Sequence, residues 1–161
     1  MSNKHEAALP DGKIAKRVSK SRTYPYCVAV RLSYEHALMQ ALQLRDVDRS
    51  NFAYYQAKLD GTSQWGKPRH GESAEAFQYR WDKEVAEAKV ELAGVTDAGA
   101  YQKVLIARRR ADVEARKAEG YYDKWGVAGW CGRRDLAQKL AGTCAASPYY
   151  AEAKIIETVI K

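Results

Sequence analysis

Residues 23–32 read TYPYCVAVRL. Val, Tyr and Thr pack well on a pleated surface, so this stretch reads as a strand, bounded by Ser21 and Ser33. Its nearly continuous apolar run implies a strand covered on both faces. Pro25 belongs near its start, where a missing N–H does least harm. Working outward, Ser33 can cap a helix over residues 34–45, in which Leu38, Ala41, Leu42 and Arg45 keep helical spacing. Residues 46–50 read as a polar break. A second short helix over 51–59 places Phe52, Tyr55 and Leu59 on one stripe, and Asp60 and Gly61 end it. Residues 61–71 form a basic loop carrying Trp65, Lys67, Pro68, Arg69 and His70.

Ser73 opens the clearest helix, with Phe77, Trp81, Val85 or Ala88, and Leu92 recurring every three or four residues. Gly94 is a suitable stop and Thr96 a suitable cap for the next helix, with Asp97 in its first turn, running to about Glu119 before Gly120. So short a connection predicts an antiparallel helical hairpin over 73–119. Its seam on the second helix would use the small residues Ala100, Val104, Ala107, Ala111 and Ala118. Residues 121–131 (YYDKWGVAGWC) predict a short strand around Val127. There Gly126 and Gly129 allow a bulge or a close backbone approach. A helix over 134–141 would turn Leu136, Ala137 and Leu140 inward and stop at Gly142. The β-branched IIETVI stretch, residues 155–160, predicts a closing strand, with a terminal helix as the alternative.

The fold class expected is α+β: a small sheet of about three strands packed by helices, with the long antiparallel hairpin between the first and second strands. Residues 23–161 are expected as one domain. Residues 1–22 are polar, with Pro10 and Gly12 close together, and read as a flexible basic segment ordered only by a partner.

The chain has 161 residues, of which 46% are hydrophobic and 29% charged, enough apolar material for a core. Eleven Tyr and four Trp stand against two Phe, a balance that favours half-buried surfaces and interfaces. Net charge is +7. Within residues 1–31, seven basic side chains oppose only Glu6 and Asp11. Nucleic acid is the natural polyanionic partner for such a segment, and a solubilising tail is the plainer account. No apolar run approaches the roughly 20 residues a membrane helix needs, and no signal-peptide core opens the chain. Cys27, Cys131 and Cys144 are odd in number and irregularly spaced, which fits buried thiols in a reducing cytoplasm.

No phosphate-binding glycine loop, HExxH or CxxC is present. The six Cys and His side chains lack the paired spacing of structural zinc, so neither metal nor cofactor is expected. Asp135 with Glu152 and Lys154 spells a carboxylate set that could hold a divalent ion for a nuclease. The same Glu-x-Lys recurs on an obvious helix at Glu87 and Lys89, and alternating charge on an edge strand explains it as well. Cys131 beside Arg133 and Arg134 is the one candidate for an activated thiol; packing at a strand end is the plainer account.

The candidate partner-binding residues are the basic Lys16, Arg17, Lys20 and Arg22; Lys103 with the triplet Arg108, Arg109 and Arg110; and Tyr121, Tyr122 and Trp125 beside Arg133 and Arg134. Consecutive arginines fan across a helical turn and can grip phosphates or acidic side chains, or simply solvate the helix. Aromatic platforms next to cations suit single-stranded nucleic acid and protein interfaces alike.

TYPYCVAVR (23–31) and WCGRRDLAQK (130–139) resemble stretches of small uncharacterised proteins of phages and other bacterial mobile elements. The resemblance implies an accessory protein acting in the bacterial host cytoplasm. It gives weight to Trp130, Arg133, Asp135 and Leu136 as a signature, and it implies no activity. The function expected is therefore a non-enzymatic basic module binding nucleic acid or a nucleoprotein complex. The alternative is an inhibitor or adaptor of a host protein, and a metal-dependent nuclease using Glu152 and Lys154 comes third.

Overall fold

The computed structural model describes residues 2–161. In chain order the elements are β1 (Asn3–Ala8), β2 (Ile14–Ser19), β3 (Tyr26–Leu32), α1 (Tyr34–Leu42), α2 (Asp46–Asp60), α3 (Ala74–Glu91), α4 (Ala98–Ala118), β4 (Trp125–Cys131), α5 (Arg134–Ala146), β5 (Tyr150–Glu157) and β6 (Val159–Ile160). The chain is α+β. Its strands form two antiparallel three-stranded sheets, ordered β2-β1-β6 and β4-β3-β5. It divides into two compact units. A sheet unit is built from both ends of the chain, up to Ala41 and from Ala111, and a helical unit spans Leu42–Arg110.

In the sheet unit, β3 is central and covered on both faces, as its apolar run requires. β4 and β5 both run antiparallel to it, so they run parallel to each other with β3 between, joined by α5. Val28, Cys131 and Ala137 form the core on the α5 side, with Tyr26, Leu140 and Ala141 packed around them. Gly129 lets α5 approach, since a Cβ there would stand 2.7 Å from Leu140 Cδ2. The β3–β4 register slips between Val28 and Ala29, opposite this glycine. Cys27 and Ala29, on the other face, are equally closed to solvent. β1 and the turn at Tyr122 lie on that side. The Tyr24 N–H donates to His5 Nε2 at 3.0 Å, the Trp125 N–H to Asp11 Oδ2 at 3.0 Å, and Arg31 to the Tyr122 carbonyl at 3.3 Å.

The helical unit is held by ion pairs threaded through a thin aromatic core. Asp48 meets Arg109, while Phe52 and Tyr55 meet the buried ring of Tyr101, so α2 runs against α4. Lys58, buried, pairs with Glu84 at 3.2 Å, and Arg80 joins Glu84 at 3.1 Å and Glu72 at 2.9 Å. The Arg80 guanidinium and the Arg69 N–H hold the Glu72 carboxyl down to about 2. An unfolded glutamate titrates near 4.5. The stabilisation by Glu72 is therefore complete above that value and lost as pH falls towards 2. We expect the loop over Trp81 to loosen in that window, read as a red shift of tryptophan emission. A Glu72→Gln variant should lack the step.

Several expectations are corrected. The segment 1–22 is not a loose tail. β1 and β2 pair from Asn3↔Ser19 to Ala8↔Ile14, and His5 and Ala7 are wholly buried. Pro10 and Gly12 mark the hairpin turn, with Gly12 at φ +86°. Two strands thus precede β3, and α3 and α4 fall in chain order between the third and fourth strands, not between the first and second. Residues 46–50 open α2, where Asp46 and Asp48 in the first turn suit the positive end of the helix dipole. Asp97, not Thr96, caps α4, its carboxylate accepting from the Ala100 N–H at 2.8 Å. The inward face of α4 carries Tyr101 and Gln102, while Ala107, Ala111 and Ala118 are exposed, because a tyrosine ring wedges where an alanine seam was expected. α5 continues through Gly142 to Ala146, and Leu136 is exposed. Pro148, which biases Ser147 to its extended ψ of 129°, is what ends the helix.

Candidate nucleic-acid interface

The hairpin β1–β2 and the short β6 present one face to solvent. Residues directly opposite in a ladder share a face, so Lys4 stands beside Val18, Glu6 beside Lys16, and Ala8 beside Ile14. On the other flank Glu6 stands beside Val159, and the backbones of Lys4 and Lys161 exchange hydrogen bonds at 3.0 and 2.8 Å. Alternation puts His5, Ala7 and Leu9 inward and leaves Lys4, Lys16 and Lys161 outward. Ile14, Val18 and Val159 on the same outer face are 57%, 63% and 59% exposed. Glu6 is the acid among them. It accepts from Lys161 at 2.6 Å and lies 4.0 Å from Lys16, and that lysine pair holds its carboxyl below the usual range.

Lys20 and Arg22 continue from the end of β2, exposed, and neither they nor Lys4 end in an ion pair among the described residues. Arg17 points the other way. It lies 4.2 Å over the Tyr24 ring and donates to its hydroxyl at 3.3 Å, which pins the β2–β3 connection to the sheet. The structure thus gathers Lys16, Lys20 and Arg22 on one surface, with Arg17 at its inner edge. It adds Lys4 and Lys161, which the sequence reading did not select. Lys161 reaches this surface through a pairing between opposite ends of the chain, which no local pattern announces.

The other expected residues are dispersed or engaged. In the helical unit, Arg108 pairs with Glu91, and Arg109 donates to both Asp48 carboxylate oxygens at 3.2 and 3.1 Å and to the Gln43 carbonyl at 3.1 Å. Lys103 and Arg110 are exposed. In the sheet unit, Tyr122 is buried, against its expected surface role, because its ring packs on Tyr34 and Tyr121. Tyr121 is partly exposed beneath Arg116, and Trp125 beneath Lys154. Arg133 closes on Asp135 at 2.9 Å, and Arg134 opens α5.

Of the candidate catalytic groups, only Glu152 and Lys154 come together. Glu152 is tied to Arg31 at 3.1 Å and to Lys154 at 3.8 Å, while Asp135 is taken by Arg133. Among the described residues no three His, Cys, Asp or Glu side chains stand together as a metal site. Burial pushes the Cys27 thiol up to about 11, with Cys131 adding to it, and burial also raises Cys131, the reverse of an activated nucleophile. No helix among the described residues is long and apolar enough to cross a membrane. Compared with family models, characterised proteins and solved structures, the chain matches none.

Proposed function

We propose that this protein is a non-enzymatic accessory module that binds nucleic acid electrostatically through the outer face of the β2-β1-β6 sheet. The observation that carries the reading is the placement of Lys4, Lys16 and Lys161 on one exposed face, extended by Lys20 and Arg22, with Glu6 the acid among them. Such a surface meets phosphates without reading base edges, so binding should be salt-dependent and weakly selective. The exposed Ile14, Val18 and Val159 offer apolar contact to sugars between the lysines. A host cytoplasm is the setting proposed, in line with the resemblance to phage and mobile-element proteins.

Replacing Lys4, Lys16, Lys20 and Arg22 together by glutamine tests this. All four are exposed, so melting should barely change. We expect wild-type affinity for DNA or RNA to fall log-linearly with salt. In the variant the slope should shrink by about 3–4, since each phosphate contact contributes roughly 0.7–0.9. An unchanged slope would refute the assignment to this face.

A second reading has its own support. Three β-branched side chains more than half exposed on an open sheet also suit an acidic protein partner. That reading predicts a complex recovered from lysate that survives nuclease digestion and is lost on Val18→Glu.

A further inference from the structure

The loop between α2 and α3 is tied by hydrogen bonds along its length. The Thr62 and Ser63 N–H groups both donate to the Ala57 carbonyl, at 2.9 and 3.1 Å. The Trp65 N–H donates to Ser63 Oγ at 3.2 Å and the Gly66 N–H to the Ser63 carbonyl at 3.1 Å. Further along, Arg80 donates to the Lys67 carbonyl at 3.2 Å, and the Arg69 N–H to Glu72 at 3.0 Å. Gly66 rests on Trp81, where a Cβ would sit 3.2 Å from the ring. Yet Trp65, inside this pinned loop, keeps 60% of its surface in water. A hydrogen-bonded backbone thus holds a large apolar ring outside the core, forgoing the stabilisation that its burial would bring.

Beside that indole lies a groove of about 310 Å³, at the small end of ligand sites, lined by Tyr54, Trp65, Lys67, Arg69, Arg80 and Glu84. Arg80 and buried Lys58 share the charge of Glu84. Lys58 also lies 4.2 Å from the Tyr54 ring. Lys67 and Arg69 end in no ion pair among the described residues, so the mouth is left cationic. Two aromatic rings with two unpaired cations in a groove of this size suit a flat ring joined to an anion. A duplex does not fit there.

We propose that this groove binds one nucleotide unit, the base stacked on Trp65 and the phosphate held by Lys67 and Arg69. The unit is either a free nucleoside monophosphate or a residue of a single strand. The site stands on its own geometry and does not depend on the basic sheet face.

Tryptophan fluorescence of the full chain tests it, titrated with adenosine, adenosine 5′-monophosphate and an eight-residue oligo-deoxythymidine. We expect saturable quenching by the monophosphate, lost on Trp65→Ala, a change at an exposed position that should leave the melting temperature in place. The pair Lys67→Ala/Arg69→Ala should weaken the monophosphate about tenfold or more and leave adenosine unchanged. An oligonucleotide preferred tenfold over the monophosphate identifies a strand; equal affinity identifies the free nucleotide. Quenching that persists in Trp65→Ala, or is absent at millimolar monophosphate, overturns the proposal. So does quenching that vanishes in the glutamine variant of the sheet face while Trp65→Ala has no effect. Loss of salt-dependent binding in that sheet variant with quenching retained would confirm that the two sites are separate.

Discussion

Arg109→Ala is expected to destabilise the helical unit by about 3 kcal/mol or more, although the residue lies in a run of three arginines that reads as a phosphate-binding surface. The reason is the partner it leaves behind. The Asp48 carboxylate is buried, and Arg109 donates to both of its oxygens. Removing the guanidinium strands a carboxylate away from water, which costs far more than the pair contributes when intact. Denaturant titration would show a midpoint shift at unchanged slope. The double variant Asp48→Ala/Arg109→Ala should recover much of the loss, since neither charge is then orphaned. Arg110→Ala, one position on and exposed, should stay within about 0.5 kcal/mol. If the Arg109 and Arg110 variants melt alike, the pair has no structural role. Any loss of nucleic-acid affinity in an Arg109 variant should accordingly be ascribed to unfolding before contact.

The second large effect concerns His5→Ala, expected to cost the sheet unit about 3 kcal/mol by combining a core cavity with an unmet donor. His5 is wholly buried, stacks edge-on against Tyr24 with ring centroids 5.5 Å apart, and accepts the Tyr24 N–H. Its Nδ1 has no hydrogen-bond partner among the described residues. Alanine would empty the space and leave the Tyr24 amide without an acceptor. Native-state hydrogen exchange should report that amide opening sooner. Val18→Ala, on the solvent face of the same hairpin, should change stability little. Equal effects at His5 and Val18 would mean that the hairpin is not seated through its inner face.

What was legible in the sequence was local. The apolar run of β3, the Ser73 hydroxyl accepting the Ala76 N–H, and Gly94 and Gly120 at φ +73° and +75° each follow from a few neighbouring residues. Pro10-Asp11-Gly12 was legible too, as a turn between two short strands, but the polar setting read as looseness. β1 carries a histidine where an alternating strand would show an apolar residue, and that masks the pattern. Three of the five basic residues of the face, Lys16, Lys20 and Arg22, were visible. Lys4 and Lys161 meet only once β1 and β6 pair. Arg109 read as surface because Asp48, which decides its role, lies 61 positions earlier. Tyr101 is hard to single out on α4 because the small residues at helical spacing already suffice for a seam.

The helical unit interrupts the sheet unit between β3 and β4, and this governs the order in which the protein assembles as it is made. β3 leaves the ribosome with no neighbour in its sheet until Trp125 and Tyr150 follow, while residues 42–110 form a compact unit within one continuous stretch of chain. We expect the helical unit to mature first, with CVAV waiting as an unpaired β-forming segment. Closing β1 against β6 is the longest-range step, joining His5 to Ile160. Refolding from denaturant should accordingly split into a fast helical phase and a slow sheet phase. The charged lysine face, completed only by Lys161, is finished in the slow one.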